Sequence, residues 1–146
     1  MKPPVAVVDT NVVVSGLLTR DPGAPTVTIL NAMVEGSIRF LLSVELIAEY
    51  REVLLRPKIR DRHGLQDEEV DTILQTIALH GMLRSISTDA DRGPDPGDAH
   101  LWALLDTSPG AVLVTGDRAL IDAAPQEASV LAPREFAELA ANETRS

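Results

Sequence analysis

The chain contains no cysteine. Disulfides and thiolate metal sites are therefore excluded, and a reducing, cytoplasmic setting is the expectation. Aromatic residues make up only 3% of the sequence, too few for a platform of stacked bases. Cations are outnumbered, with 13 Lys and Arg against 22 Asp and Glu and a formal net charge of −9. That balance excludes binding to nucleic acid by broad electrostatic attraction, which relies on Lys and Arg displacing counterions from phosphates. A nucleic-acid substrate would need another device, such as a divalent cation bridging acidic side chains to phosphate oxygens. No apolar run is long enough to span a bilayer, and "MKPPVAVVDTN" at the start does not read as a signal peptide, so no membrane partner is expected. Neither a P-loop nor a GxGxxG fingerprint is present, which removes the common nucleotide-binding readings.

What is present is enough for one domain. The chain has 146 residues, of which 45% are hydrophobic, and can bury a sizeable core. Short β-branched runs at Val5 to Val8, Ile38 to Leu42, Leu83 to Ile86, Ala111 to Val114 and Ser129 to Ala132 are the strand candidates. Most are continuous rather than alternating, as expected of parallel strands covered on both faces. Helical periodicity covers Asn11 to Leu18, Ala24 to Glu35, Val44 to Leu55, Asp67 to Gly81, Ala99 to Asp106, Arg118 to Ala123 and Arg134 to Ala140. The pattern predicts an α/β fold, a three-layer α/β/α sandwich around a mainly parallel central sheet. The domain is expected over residues 1–141, "DADRGPDPGD" reads as a loop, and the polar tail at 142–146, "NETRS", is expected to fray.

Acidic residues occupy distinctive places on this scaffold. Asp9 cuts an apolar run in "VVDTNVVVSG", and Asp117 follows "AVLVT" by a single Gly, so both lie where strands run into helices. That edge is where open α/β sheets bind ligands. Asp98 opens the helix in "PDPGDAHLWALL", on the face continued by Leu101, Trp102 and Leu105. In "SVELIAEYREVLLRPKI" Ser43 is a helix cap, Ile47, Tyr50, Val53 and Leu54 form the apolar stripe, and Glu49 falls on its border, with Glu45 and Glu52 further toward solvent. Each Asp has a plain alternative reading as an N-cap. Jointly that reading is costly. Two carboxylates about 4 Å apart repel by on the order of 4 kcal/mol at an effective dielectric of 20, so a cluster calls for a cation or a raised pKa.

"VVDTNVVVSGLL", "SVELIAEYREVLLRPK", "DPGDAHLWAL" and "VLVTGDRALI", in this order and spacing, resemble the PIN-domain ribonucleases, most nearly the VapC-like toxin halves of type II toxin–antitoxin pairs. The resemblance extends to the final "SVLAPREFAEL". It implies a PIN-like nuclease domain whose catalytic residues are Asp9, Glu49, Asp98 and Asp117, with Mg2+ or Mn2+ held by Asp9, Asp98 and Asp117. The implied reaction is metal-assisted hydrolysis of RNA phosphodiesters, in which Glu49 orients or deprotonates the attacking water. The implied partners are an RNA substrate and a small cognate antitoxin, and a homodimer is left open. Asn11 and Thr115 stand beside the acids and are expected either to hold them from behind or to make only local turn hydrogen bonds. A non-catalytic partner-binding domain and a stand-alone structure-specific nuclease in RNA processing are the alternatives.

The remaining features are weaker. "RPKIRDRHG" concentrates Arg56, Lys58, Arg60 and Arg62, read either as contacts to an RNA backbone or as a solvated loop. Tyr50 and Trp102 fall on apolar helix faces and are expected in the core. His63, His80 and His100 lack metal-ligand spacing and are expected in structural or surface roles. Two phosphate-handling folds that use an Asp nucleophile fit poorly. A haloacid-dehalogenase-type phosphatase needs a second acid where Asn11 stands, and a receiver domain needs a Lys where the sequence reads "TGDR".

Overall fold

The structure is a computed structural model that describes residues 3–86 and 98–144. The strands are β1 (Ala6–Val8), β2 (Leu41–Leu42), β3 (Met82–Leu83), β4 (Val112–Val114) and β5 (Val130–Leu131). The helices are α1 (Thr10–Leu18), α2 (Pro25–Glu35), α3 (Val44–Leu54), α4 (Pro57–His63), α5 (Asp67–His80), α6 (Ala99–Asp106), α7 (Arg118–Asp122) and α8 (Pro133–Thr144). Among the described residues no helix is long and apolar enough to cross a membrane.

Every strand pairing is parallel among the described residues. β1, β4 and β5 form one sheet in the order β1–β4–β5, and β2 pairs with β3. A single bridge from Ala6 to Phe40, with the Ala6 N–H donating to the Arg39 carbonyl at 3.0 Å, joins the two pieces into the order β3–β2–β1–β4–β5. The chain therefore steps from β1 one way to β2 and β3, and from β4 the other way to β5. Because parallel crossovers are right-handed, reversing the step moves the connecting helix to the other face. The helices divide accordingly: α1, α2, α3, α5 and α8 pack on one another, while α6 packs on β1, β2 and β4 and meets α3 at the sheet's edge. The point of reversal lies between β1 and β4, and the C-terminal ends of those two strands carry Asp9 and the "TGD" turn.

β1 and β4 are buried along their whole length, which explains their unbroken apolar composition. The core runs through both layers, with Tyr50, Phe40 and Phe136 its largest fully buried side chains and Trp102 2% exposed, so Tyr50 and Trp102 are core residues as expected. Helices α1 and α2 approach closely at Gly16, where a Cβ would stand 2.7 Å from the Thr26 carbonyl oxygen and 2.8 Å from Leu30 Cβ. Ser43 caps α3 by accepting the Leu46 N–H at 3.0 Å.

Several sequence expectations are shifted. The strand expected at Leu83 to Ile86 pairs only at Met82–Leu83, and that at Ile38 to Leu42 forms regular ladder only at Leu41–Leu42. The "RPKIRDRHG" stretch is not a loop but the helix α4, so His63 ends a helix. Pro57 at the first helical position and Gly64 in the left-handed conformation just past the end, at φ 69°, are the physical reason. The loop expected at "DADRGPDPGD" lies outside the described residues up to Asp98.

Candidate active site

The buried stripe of α3 is Leu46, Tyr50 and Leu54, with Ile47 and Val53 half-buried beside it. This turns Glu49 and Val53 toward the C-terminal ends of β1 and β4. There an open pocket of about 640 Å³ brings together Asp9, Glu49, Asp98 and Asp117, the four acids singled out in the sequence. Asn11 also lines it and is exposed. Arg56, at the N-cap of α4, and Ile59 and Arg62 within it also line the pocket, whereas Lys58 and Arg60 do not.

Asp9 sits at the pocket floor, 7% exposed. Its Oδ1 accepts the Thr10 N–H at 2.8 Å and its Oδ2 accepts the Thr115 hydroxyl at 2.7 Å. The Thr115 hydroxyl in turn accepts the Asp117 N–H at 3.0 Å, so Thr115, one of the two residues expected to support the acids, links both strand-end acids. Asn11, the other residue expected in that role, makes no bond to the acids among the described residues. Burial pushes the Asp9 carboxyl above its ordinary value; the bonds from Thr115 and Thr10 pull it back, and the charges of Glu49 and Asp98 push it up again.

Glu49 is half-buried and faces two partners. The Thr10 hydroxyl donates to its Oε2, and His100 Nε2 lies 3.4 Å from its Oε1. The His100 contact, foremost, holds the Glu49 carboxyl below its ordinary value against the opposing effect of burial; Thr10 and the charges of His100 and Arg56 act in the same direction. His100 Nδ1 is buried without a partner among the described residues. Tyr50, fully buried below, donates its hydroxyl to the Val8 carbonyl at 2.5 Å and so ties α3 to the residue preceding Asp9. Desolvation raises the Tyr50 phenol well above its ordinary value.

The capping alternative can be judged acid by acid. Asp117 is a true cap, its Oδ1 accepting the Ala119 N–H at 3.0 Å and the Leu120 N–H at 3.4 Å. Asp98 stands at the N-cap of α6 but its side chain makes no capping bond. Asp9 reaches only the N–H of its own neighbour, Thr10. Capping therefore accounts for Asp117 and leaves the placement of Asp9 and Asp98 to another cause.

Thr10 and His100 were not read from the sequence as site residues. A hydroxyl directly after Asp9 was the available signal for Thr10; the approach of His100 to Glu49 is a contact between residues 51 positions apart that no local pattern announces.

A protein-family model described as PIN domain matches residues 5–119. The chain belongs to the PIN domain family. No curated protein and no solved structure matches it. The matched span of the PIN domain contains all four acids, and the family has a nuclease fold whose members generally use a divalent metal such as Mg2+. The donor set of the pocket suits such an ion. Its four carboxylates supply the oxygen ligands preferred by hard cations, and the mutual repulsion of Asp9, Glu49 and Asp98 is the kind a cation relieves. Among the described residues, however, no three acidic or histidine side chains are gathered tightly enough to chelate an ion.

Proposed function

We propose that this PIN domain is a metal-dependent endoribonuclease and that the pocket between β1 and β4 is its active site. The observation that carries the reading is the convergence of Asp9, Glu49, Asp98 and Asp117, from four separate segments, on one pocket at the point where the strand order reverses. Asp9 and Asp98 would hold Mg2+ or Mn2+, with Asp117 joining directly or through water. Such an ion, when bound, neutralises the carboxylates, polarises phosphoryl oxygens and acidifies water. In the hydrolysis the water oxygen bonds to phosphorus and gives up a proton to solvent as the bond to the departing ribose oxygen breaks, and that oxygen is protonated from solvent. Glu49, kept ionised by His100 and Thr10, accepts a hydrogen bond from the attacking water; its lowered pKa suits orienting that water better than deprotonating it. Thr115 and Thr10 fix the two carboxylates from behind, and such supporting partners typically change metal affinity or activity 10- to 100-fold when lost, a rough scale.

The more specific assignment, the toxin of a type II pair inhibited by a small cognate antitoxin, draws its support from the four sequence segments quoted above. A single experiment tests the core of the reading: incubation of the purified protein with single-stranded RNA in Mg2+ or Mn2+, against an EDTA control. Cleavage that requires the divalent ion supports it; intact RNA under all metal conditions, or equal cleavage in EDTA, contradicts it.

A further inference from the structure

We infer that α4 is a phosphate-gripping wall and that Arg56 and Arg62 hold a single-stranded RNA across the acidic pocket, while Lys58 and Arg60 take no part; this rests on the nuclease reading above. In a chain of net charge −9, two arginines are directed at the pocket that holds four acids. Ile59 and Arg62 share one face of α4, and Arg56 at the N-cap of that helix lines the same pocket. Arg60 faces elsewhere and is bound to Asp67 at 2.8 Å. Arg56 makes only an exposed 3.4 Å pair with Glu52, a kind of contact that is weak and easily exchanged, and its charge acts on Glu49. Arg62 is exposed and makes no hydrogen bond or ion pair among the described residues.

The guanidinium fork matches phosphate oxygens, and six residues along a helix cover about 9 Å, enough to reach different phosphates of one strand. The wall is held in place from beneath. Leu65 N–H donates to His63 Nδ1 at 2.9 Å, which leaves Nε2 to donate to the Leu54 carbonyl at 2.8 Å, so one ring pins the end of α4 to the end of α3. Beside the arginines the lining includes aliphatic Val14, Leu18, Val53 and Ile59, and among the described residues no aromatic side chain lines the pocket. Recognition would thus go through phosphates and tolerate sequence. Asp9 at the floor is nearly covered, so the reacting phosphate must descend to it, which a flexible strand does more readily than a duplex.

The test is binding of a fluorescein-labelled single-stranded RNA by anisotropy, with Ca2+ replacing Mg2+ because its looser coordination supports binding without demanding the geometry of catalysis. Arg56→Gln and Arg62→Gln should each weaken binding roughly three- to tenfold and reduce the slope of log affinity against log salt by about 0.7, and Lys58→Gln should change neither by more than about a fifth of that. Unchanged affinity and slope in both Arg variants would overturn the inference, as would an equal effect of Lys58→Gln. Equal affinity for duplex RNA would overturn the single-strand assignment, and tighter Arg-dependent binding of poly-glutamate would reassign the wall to an acidic protein segment. Cleavage in Mg2+ that is unaffected in the double Arg variant overturns the wall and spares the nuclease. Arg-dependent RNA binding without cleavage in Mg2+ or Mn2+ supports the wall and overturns the nuclease reading.

Discussion

The Thr115 hydroxyl donates to Asp9 Oδ2 at 2.7 Å and accepts the Asp117 N–H at 3.0 Å, so one fully buried oxygen joins the acid after β1 to the acid after β4. The two strands are also joined there by the Asp9 N–H, which donates to the Val114 carbonyl at 3.0 Å. Backbone pairing sets the register and the threonine sets the carboxylate.

Thr115→Val keeps the shape and removes both bonds of the hydroxyl. Leaving buried polar groups unpaired costs about 1–3 kcal/mol, so denaturant unfolding should show a loss of that order. Mn2+ affinity, read by calorimetry, should fall, and Thr115→Ser should restore most of both. A Val variant as stable as the parent would mean that the hydroxyl does not organise the pocket.

Asp9 gives a pH signature of known sign. Its carboxyl titrates higher in the folded chain than its ordinary 3.8, so in the window between the two values folding takes up a proton and stability falls as pH rises. Asp9→Asn lacks that proton. The melting temperature of Asp9→Asn relative to the parent should therefore decline as pH drops from neutral to about 4, with the parent gaining from the uptake. A difference that stays constant over the range, without metal, would show that the Asp9 carboxyl is not raised.

These relationships were unequally legible in the sequence. β1 and β4 could be read because strands covered on both faces are written as unbroken apolar runs, and Asp9 and Asp117 stood out as charges ending them. Glu49 was placed on the border of its helix stripe by period alone. α4 escaped because its seven residues carry one aliphatic side chain, Ile59, and bury none fully, leaving periodicity silent; its capping residues, Pro57 and Gly64, were the usable signal. The contacts of Glu49 with Thr10 and His100 join residues 39 and 51 positions apart and follow from packing of α1, α3 and α6, which no local pattern encodes.

Tyr50→Phe isolates the tie between α3 and β1. The substitution leaves the Val8 carbonyl without this donor and should lower stability by about 1 kcal/mol. Equilibrium unfolding measures it; no change would mean that α3 is located by apolar packing alone.

His63→Ala removes the ring that bonds the Leu54 carbonyl and the Leu65 N–H. Because α4 buries no residue fully, the loss should appear as local opening rather than global unfolding. Amide exchange in α4 should quicken roughly tenfold while core strands β1 and β4 keep their protection. Uniform quickening throughout would place His63 in the global fold instead.

The central claim is that Asp9, Asp98 and Asp117 hold metal for RNA cleavage and Glu49 orients the attacking water, beyond the capping that Asp117 also supplies to α7. The most direct measurement is the rate of Mg2+- or Mn2+-dependent RNA cleavage by Asp9→Asn, Glu49→Gln, Asp98→Asn and Asp117→Asn, with exposed Glu52→Gln as the control and melting curves alongside. Each amide has the shape of the acid it replaces, and at position 117 Asn caps a helix about as well as Asp, so the variants should stay folded. Cleavage should fall by roughly a hundredfold or more in the Asp9 and Asp98 variants, the scale on which a preorganised catalytic interaction is lost, and Glu52→Gln should match the parent. Full cleavage by folded Asp9→Asn and Asp98→Asn would contradict the assignment of this pocket.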